Sequence, residues 1–528
     1  MSAASAEVAP AAASRGAAFL FLLLLLTGAV LRLADLSRRP LHGDEAVGAY
    51  ISEGVARTGS YLYESSNRHG PFQFFLGGLC MRWGGTSFSW IRFPHALLGC
   101  LLPLACFGFR RPLTDAGWLL ACSLLTFSPM FLFYSRYAIQ EIDFAVATAL
   151  LFSCALAFAQ SGSGISLFGF LLAGAWMVTI KETFLIVWGC LAGALVLGFL
   201  AGGKRFRDVV TGVAGKLRSG WRAGVLGCLA GGLLVGAAYT DRFRQAAGLG
   251  NLLRNLAVML LQGASTPDAL LLHNHPAGFY ASLLVRHEWL TVGLSLAGAS
   301  FAFRTRRPSA LLLAFYALLS LGVHCALGYK TPWLLLTPLL PLALLAGEGG
   351  AELLARLPRP AAAPRATLVL ACALPLLSLP RAVQTSYVRP LDPALGLAYH
   401  HAGVEQLQLA GEIRRILAHL PQVTYPEAVI ALPYYWPLAW YLRDLTAVAF
   451  EPASIPSESP EELATVPVVV TLQSADPKFL AAFIRSGSVP PFHLPGHASR
   501  RVVLVPPDYV VARVWIRSDL VPPLPGEH

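Results

Sequence analysis

Charge is what this chain has least of. Asp, Glu, Lys and Arg make up 13% of it against 55% hydrophobic residues, and its mean hydropathy is +0.58. Soluble domains are not built on that balance, which points to a polytopic membrane protein. No CxxC spacing occurs among the nine cysteines, most of which lie inside apolar runs, and none follows Cys372. Neither a thiolate metal cluster nor a disulfide framework is therefore supported. Internal repeats are absent, and Ser161-Gly162-Ser163-Gly164 has no strand ahead of it, so it reads as a turn rather than a phosphate loop. No A-x-A-like site follows Leu31, so Gly16 to Leu36 reads as a retained first helix rather than a cleaved signal peptide. The net charge of +11 suggests nucleic acid. The positive residues, however, are gathered in short loops between apolar runs, which is a topology signal and implies no nucleic acid partner.

What is there is a succession of apolar runs. After the first come Pro94 to Phe109, Gly117 to Phe133, Phe144 to Phe158, Ile165 to Ile180, Phe184 to Leu200, Ala223 to Ala238, Leu290 to Phe303, Ser309 to Leu327, Trp333 to Ala346 and Thr367 to Leu379. That makes about eleven spans, several short of the roughly 20 residues a full crossing wants. Counted off alternately, Arg110 and Arg111, the group from Lys204 to Arg222, Arg304 to Arg307, and Arg356, Arg359 and Arg365 fall on one side, which the positive-inside rule makes cytoplasmic. The other side receives Asp44 and Glu45, Arg136 and Glu141, Lys181 and Glu182, Asp268 with His273 and His275, and Lys330. Ala46 to Val55 and Phe72 to Trp83, in the loop 37–93, suit helices lying in the interface, as does Asn251 to Gln262 in the loop 241–288. After Leu379 short apolar runs alternate with helical patterns, the rhythm of a small α/β domain. The organisation expected is a mobile start at 1–15, a transmembrane region at 16–380, an extracytoplasmic α/β domain at 381–520 and a tail at 521–528.

Leu41-His42-Gly43-Asp44-Glu45 organises the rest. Two adjacent carboxylates beside a hydrocarbon edge need partners, water or a cation, and such residues usually mark function. Asp44 and Glu45 read as the lip of an active site, or as the start-cap pair of a helix over Ala46 to Arg57. A carboxylate there can act as a general base toward a hydroxyl, with cations holding the leaving group. Arg136, Lys181 and Lys330, each at the outer end of a span, suit a phosphate. Each has a plainer reading: Arg136 with Glu141 as an ion pair, Lys181-Glu182 as a solvated turn, Lys330 and Trp333 as interfacial anchors. His273-Asn274-His275 has a metal-ligand spacing but lacks a fixed third ligand, so a divalent metal is possible chemistry that nothing else requires. Tyr434, Tyr435, Trp436, Trp440 and Tyr441 suit stacking on a sugar, or packing.

Taken in order, Asp44-Glu45 after one span, Arg92-Phe93-Pro94, Ser128-Pro129, Tyr134-Ser135-Arg136-Tyr137 and Glu141 resemble glycosyltransferase family 39, the protein O-mannosyltransferase-like branch of the GT-C fold. His69-Gly70-Pro71, Tyr329-Lys330-Thr331-Pro332-Trp333, Tyr435-Trp436-Pro437-Leu438 and Trp440-Tyr441-Leu442-Arg443 are similar to a prokaryotic flippase-activity-associated subgroup, the resemblance running from Leu31 to Asp444. It implies a GT-C-like helical membrane fold and an inverting transferase. Such an enzyme takes a sugar from a polyprenyl-phosphate donor in the lipid and passes it to a protein, lipid or glycan acceptor outside the plasma membrane. It makes Asp44 the base or acceptor-orienting carboxylate, Glu45 its neighbour, and Arg136 a ligand of the donor phosphate. His42, His69, Glu141, Glu182 and Trp333 join the candidate site. A β-trefoil-like module, present in the eukaryotic branch, is not evident. The competing reading is a transport or scaffold protein that helps flip lipid-linked glycans. A flippase would line a path with charges inside its spans, whereas these spans read as nearly free of charge.

Overall fold

The computed structural model describes residues 15–64, 69–262, 271–356, 363–420, 426–484, 488–506 and 509–521. Of the mobile ends expected at 1–15 and 521–528, residues 1–14 and 522–528 lie outside the described residues, as do Asp268 and Arg359. Eight helical stretches among the described residues are long and apolar enough to cross a membrane, and the chain is a multi-pass membrane protein. The count differs from about eleven because one stretch, Phe88–Phe127, covers two expected spans, while Gly164–Ile180 and Trp289–Thr305 are only 17 residues each.

In chain order the helices are α1 (Arg15–Leu33), α2 (Gly43–Thr58), α3 (Phe72–Gly84), α4 (Phe88–Ala105), α5 (Arg110–Phe127), α6 (Pro129–Ser135) and α7 (Glu141–Ser161). They continue as α8 (Gly164–Ile180), α9 (Phe184–Ala201), α10 (Gly203–Ser219), α11 (Trp221–Tyr239), α12 (Ala247–Gln262), α13 (Phe279–His287), α14 (Trp289–Thr305), α15 (Pro308–Ala326) and α16 (Leu336–Ala355). The turn read at Ser161 to Gly164 joins α7 to α8, with Gly162 in the left-handed region at φ 69° and its N–H donating to the Phe158 carbonyl at 2.8 Å. The expected interfacial segments are the helices α2, α3 and α12.

α4 and α7 begin ahead of the purely apolar runs, and the first run already holds Arg32, which together correct the expectation of nearly charge-free spans. Arg32 lies in α1, Arg92 and His95 in α4, and Glu141 and Asp143 in α7, all of them buried. Each is matched. Arg92 pairs with Glu45, His95 Nδ1 lies 3.0 Å from both Asp143 carboxylate oxygens, and Lys181 Nζ donates to Glu141 Oε1 at 2.6 Å. Arg32 donates to the Leu125 and Thr126 carbonyls at the end of α5, at 2.9 and 3.3 Å. These partners keep charge tolerable at the bundle end where α1 and α8 finish and α4 and α7 start.

The α/β domain is assembled from helix α17 (Val404–Ala418), strands β1 (Ala428–Ala431), β2 (Val448–Glu451) and β3 (Val468–Ala475), helix α18 (Pro477–Phe483), and strands β4 (His497–Val505) and β5 (Val510–Arg517). Strand order is β2-β1-β3-β5-β4; β1 runs parallel to β2 and β3, while β5 is antiparallel to β3 and β4. Every residue of β1 is buried, as expected of a central parallel strand covered on both faces. One apolar cluster joins this domain to the first loop, since Leu41, Ala46, Ala49 and Met81 pack with Ile413, Ile430 and Trp440. Polar contacts pin the same seam: Leu41 N–H donates to Tyr441 Oη at 2.9 Å, and Arg443 donates to Glu53 at 2.9 Å and to Thr86 Oγ1 at 3.0 Å.

Candidate active site

His42 is the start cap of α2. Its Nδ1 accepts from the Asp44 N–H at 3.0 Å, and Glu45 Oε2 accepts from the His42 N–H at 3.0 Å, which closes a capping box. Adjacent helical residues point about 100° apart, and the two carboxylates separate accordingly. Glu45 turns inward and is fully buried. It takes two 2.7 Å bonds from the Arg92 guanidinium and one of 2.8 Å from the Ala138 N–H. Burial, the largest single effect, raises its pKa, but Arg92, Arg39 and the Ala138 N–H together outweigh it and hold the carboxyl down at about 2. The start-cap reading thus describes Glu45, whose acceptor capacity is used inside the protein. Asp44 turns the other way and its side chain is 54% exposed.

Asp44 opens onto a cavity of about 190 Å³ between the helical region and the sheet domain. Its walls are largely aromatic: Tyr329, Trp333 and Tyr399 from one side, Tyr434, Tyr435, Trp436, Phe479 and Tyr509 from the other. Asp44 is the one carboxylate in the lining, and no Lys or Arg joins it among the described residues. The histidines there, His42, His273 and His400, are disfavoured as cations. Burial lowers all three, His273 to about 4 and His400 to about 2. Gly43 packs against the Tyr434 ring, and a Cβ there would force the Tyr434 hydroxyl to shift. The site therefore offers one base in an otherwise neutral, aromatic-walled space.

The other expected residues divide between this cavity and its supports. His42, His273 and Trp333 line it with Asp44. Arg136 does not, and it does not pair with Glu141. Its guanidinium donates to the Arg32 carbonyl in the last turn of α1, to the Ala34 and Asp35 carbonyls just past it and to Tyr387 Oη, a cation satisfying a helix C-terminus. Lys181 and Glu141 are a buried pair rather than part of a solvated turn. Lys330 Nζ donates to the His275 carbonyl at 2.9 Å and to the Leu327 carbonyl, so its charge is spent on holding the strand-like contact between Asn274 and Tyr329. Glu182 faces His69 at 3.5 Å; Gly70 makes this possible by packing against the Thr179 carbonyl, where a side chain would not fit.

His273 Nδ1 and His275 Nε2 both lie 2.9 Å from Tyr399 Oη. One hydroxyl donates once, so one ring accepts and the other donates, and the pair is satisfied as a Tyr clasp. Groups of three or more His, Cys, Asp or Glu fit to hold a metal are absent among the described residues. Sequence reasoning missed His400 and His401. His400 has φ 51° and is sandwiched between Tyr399 and Tyr509, each ring centroid 4.0 Å away. The run Tyr399-His400-His401 was the signal, but it sits in an irregular segment where no periodicity marks a side chain's direction.

No protein-family model and no curated protein matches the sequence. Solved structures do match in fold. ArnT from Cupriavidus metallidurans in the apo state superposes with a TM-score of 0.59 at 15% identity, over 97% of this chain and 100% of that one. The same protein bound to undecaprenyl phosphate gives 0.58 at 16% identity, with the same coverage. The chain has the polytopic GT-C fold with a small C-terminal sheet domain.

Proposed function

We propose that this protein is an inverting membrane glycosyltransferase that moves a sugar from a polyprenyl-phosphate donor to an acceptor hydroxyl outside the membrane. The observation that carries the reading is Asp44: a solvent-reached carboxylate, free of the ion pair that occupies its neighbour, in the lining of an aromatic-walled cavity of about 190 Å³. Asp44 takes the proton of the acceptor hydroxyl as that oxygen bonds to the anomeric carbon. The bond from that carbon to the donor phosphate breaks, and the polyprenyl phosphate departs with the electron pair. A fold shared over nearly the whole chain with a protein crystallised with undecaprenyl phosphate supports a lipid-phosphate donor. The family 39 reading, in its flippase-associated branch, is supported by where the motif residues fall, since Asp44, Tyr329, Trp333, Tyr435 and Trp436 all line the cavity.

Arg136, Lys181 and Lys330 are not assigned the donor phosphate here, because each already has carbonyl or carboxylate partners. The test is to incubate the purified full chain with radiolabelled polyprenyl-phosphate sugars and extract the products. Transfer from at least one donor by the wild type, lost by at least a thousandfold in Asp44→Asn with insertion unchanged, is the expected result, in line with losing a general base together with its charge. Full-rate transfer by Asp44→Asn removes Asp44 as the base.

A further inference from the structure

The cavity has more aromatic surface than one transferred sugar needs. Tyr435 and Trp436 on the sheet domain lie 6.1 Å apart, and Trp436 continues to Tyr50 on α2 at 5.6 Å, with Tyr50 half exposed. This row runs from the cavity mouth across the seam to the surface. His400 lines the same cavity; its ring nitrogens make no hydrogen bond among the described residues, and the Tyr399 and Tyr509 stack holds it on a strained left-handed backbone. Such strain persists where surrounding packing enforces it, and it collects at ligand-binding positions. The Tyr509 hydroxyl is likewise buried without a partner.

We propose that the acceptor is a carbohydrate chain, seated with successive sugar rings on Tyr435, Trp436 and Tyr50 and read by the ring nitrogens of His400. The inference rests on the transferase reading and names the acceptor class. The C–H faces of sugar rings suit aromatic faces, while their hydroxyls need a few fixed polar groups, which His400, Tyr509 and Asp44 supply. The absence of a lining Lys or Arg among the described residues argues that this part of the cavity takes a neutral ligand, leaving the donor phosphate outside it. The row also lies on the sheet domain and α2 rather than on the helices long enough to cross the membrane. A peptide acceptor would call for main-chain hydrogen-bonding partners, and the lining offers chiefly ring faces.

Binding is measured with full-length Asp44→Asn protein in nanodiscs, so that turnover does not intervene. Neutral oligosaccharides of several linkages, a Ser/Thr-rich peptide and a polyprenyl-phosphate sugar are titrated separately by calorimetry. An oligosaccharide is expected to bind. Trp436→Ala should weaken it about three- to tenfold, the range of one lost aromatic stack. His400→Asn, which tolerates the left-handed backbone, should weaken it by up to about tenfold, the range of one hydrogen bond. Affinity for the lipid donor should stay unchanged in both. Peptide binding sensitive to Trp436→Ala, or oligosaccharide binding indifferent to both substitutions, overturns the inference. In either case, transfer by the wild type still upholds the transferase reading. Oligosaccharide binding without transfer from any lipid donor removes the transferase reading and leaves a glycan-binding site.

Discussion

Glu45 and Asp44 are neighbours with opposite fates, and single substitutions tell them apart. Glu45→Gln leaves the Arg92 guanidinium buried with its charge unmatched, which costs about 3–5 kcal/mol; a lower unfolding temperature and folded yield in detergent are expected. Asp44→Asn should leave both unchanged and remove turnover. Acid separates the ionisable groups in the same way. His273 sits at about 4 in the folded protein against an ordinary 6.5, so its neutral form favours folding above 6.5, and that contribution is lost as pH falls from 6.5 to about 4. Glu45, at about 2 against an ordinary 4.5, favours folding above 4.5, and its contribution is lost only between 4.5 and about 2. The first acid weakening, between pH 6.5 and 4.5, therefore belongs to the histidines. Melting temperatures across that window should fall in the wild type and fall less in His273→Gln. Which of two adjacent carboxylates pairs was not legible in the sequence, because Arg92 and Ala138 are remote along the chain and nothing local announces them. The partners of Arg136 were illegible for the same reason: they are carbonyls at an earlier helix end, and carbonyls carry no sequence signal.

At the level of elements, α2 and the loops that seat it decide the cavity's shape. Gly43→Ala pushes the new methyl group into the Tyr434 hydroxyl, so transfer should fall, and the double variant Gly43→Ala with Tyr434→Phe should recover part of it. Michaelis constants for donor and acceptor would show which substrate feels the change. Gly70→Ala is harsher, because the obstacle is the Thr179 backbone, which has no rotamer to move to; little folded protein is expected. The elements themselves were largely readable. All five strands lie within or beside the short apolar runs read after Leu379, because buried strands leave such runs, and α17 and α18 follow their helical patterns, because one-sided burial imprints a helical period. Span ends were less so. Paired charges let α4 and α7 begin ahead of the apolar runs that hydropathy detects.

For the whole molecule the question is sidedness. The orientation we propose, with the basic loops in the cytosol, has Asp44 and the sheet domain facing outward together. Single cysteines at Tyr50 and Glu412 should react with an impermeant maleimide added to intact cells, while one at Arg218 should react only after permeabilisation; labelling of Tyr50 and Glu412 from opposite faces would refute the arrangement. Hydropathy and loop charge made the polytopic architecture legible, whereas the cavity was not, because its two walls lie hundreds of residues apart. That division has a practical corollary through the Leu41–Tyr441 and Arg443–Glu53 contacts. A chimera given a foreign tail would inherit half a room, with Trp436 and His400 replaced opposite an unaltered Asp44. Exchanging specificity between relatives would mean transplanting residues 41–58 and everything after 398 as one unit.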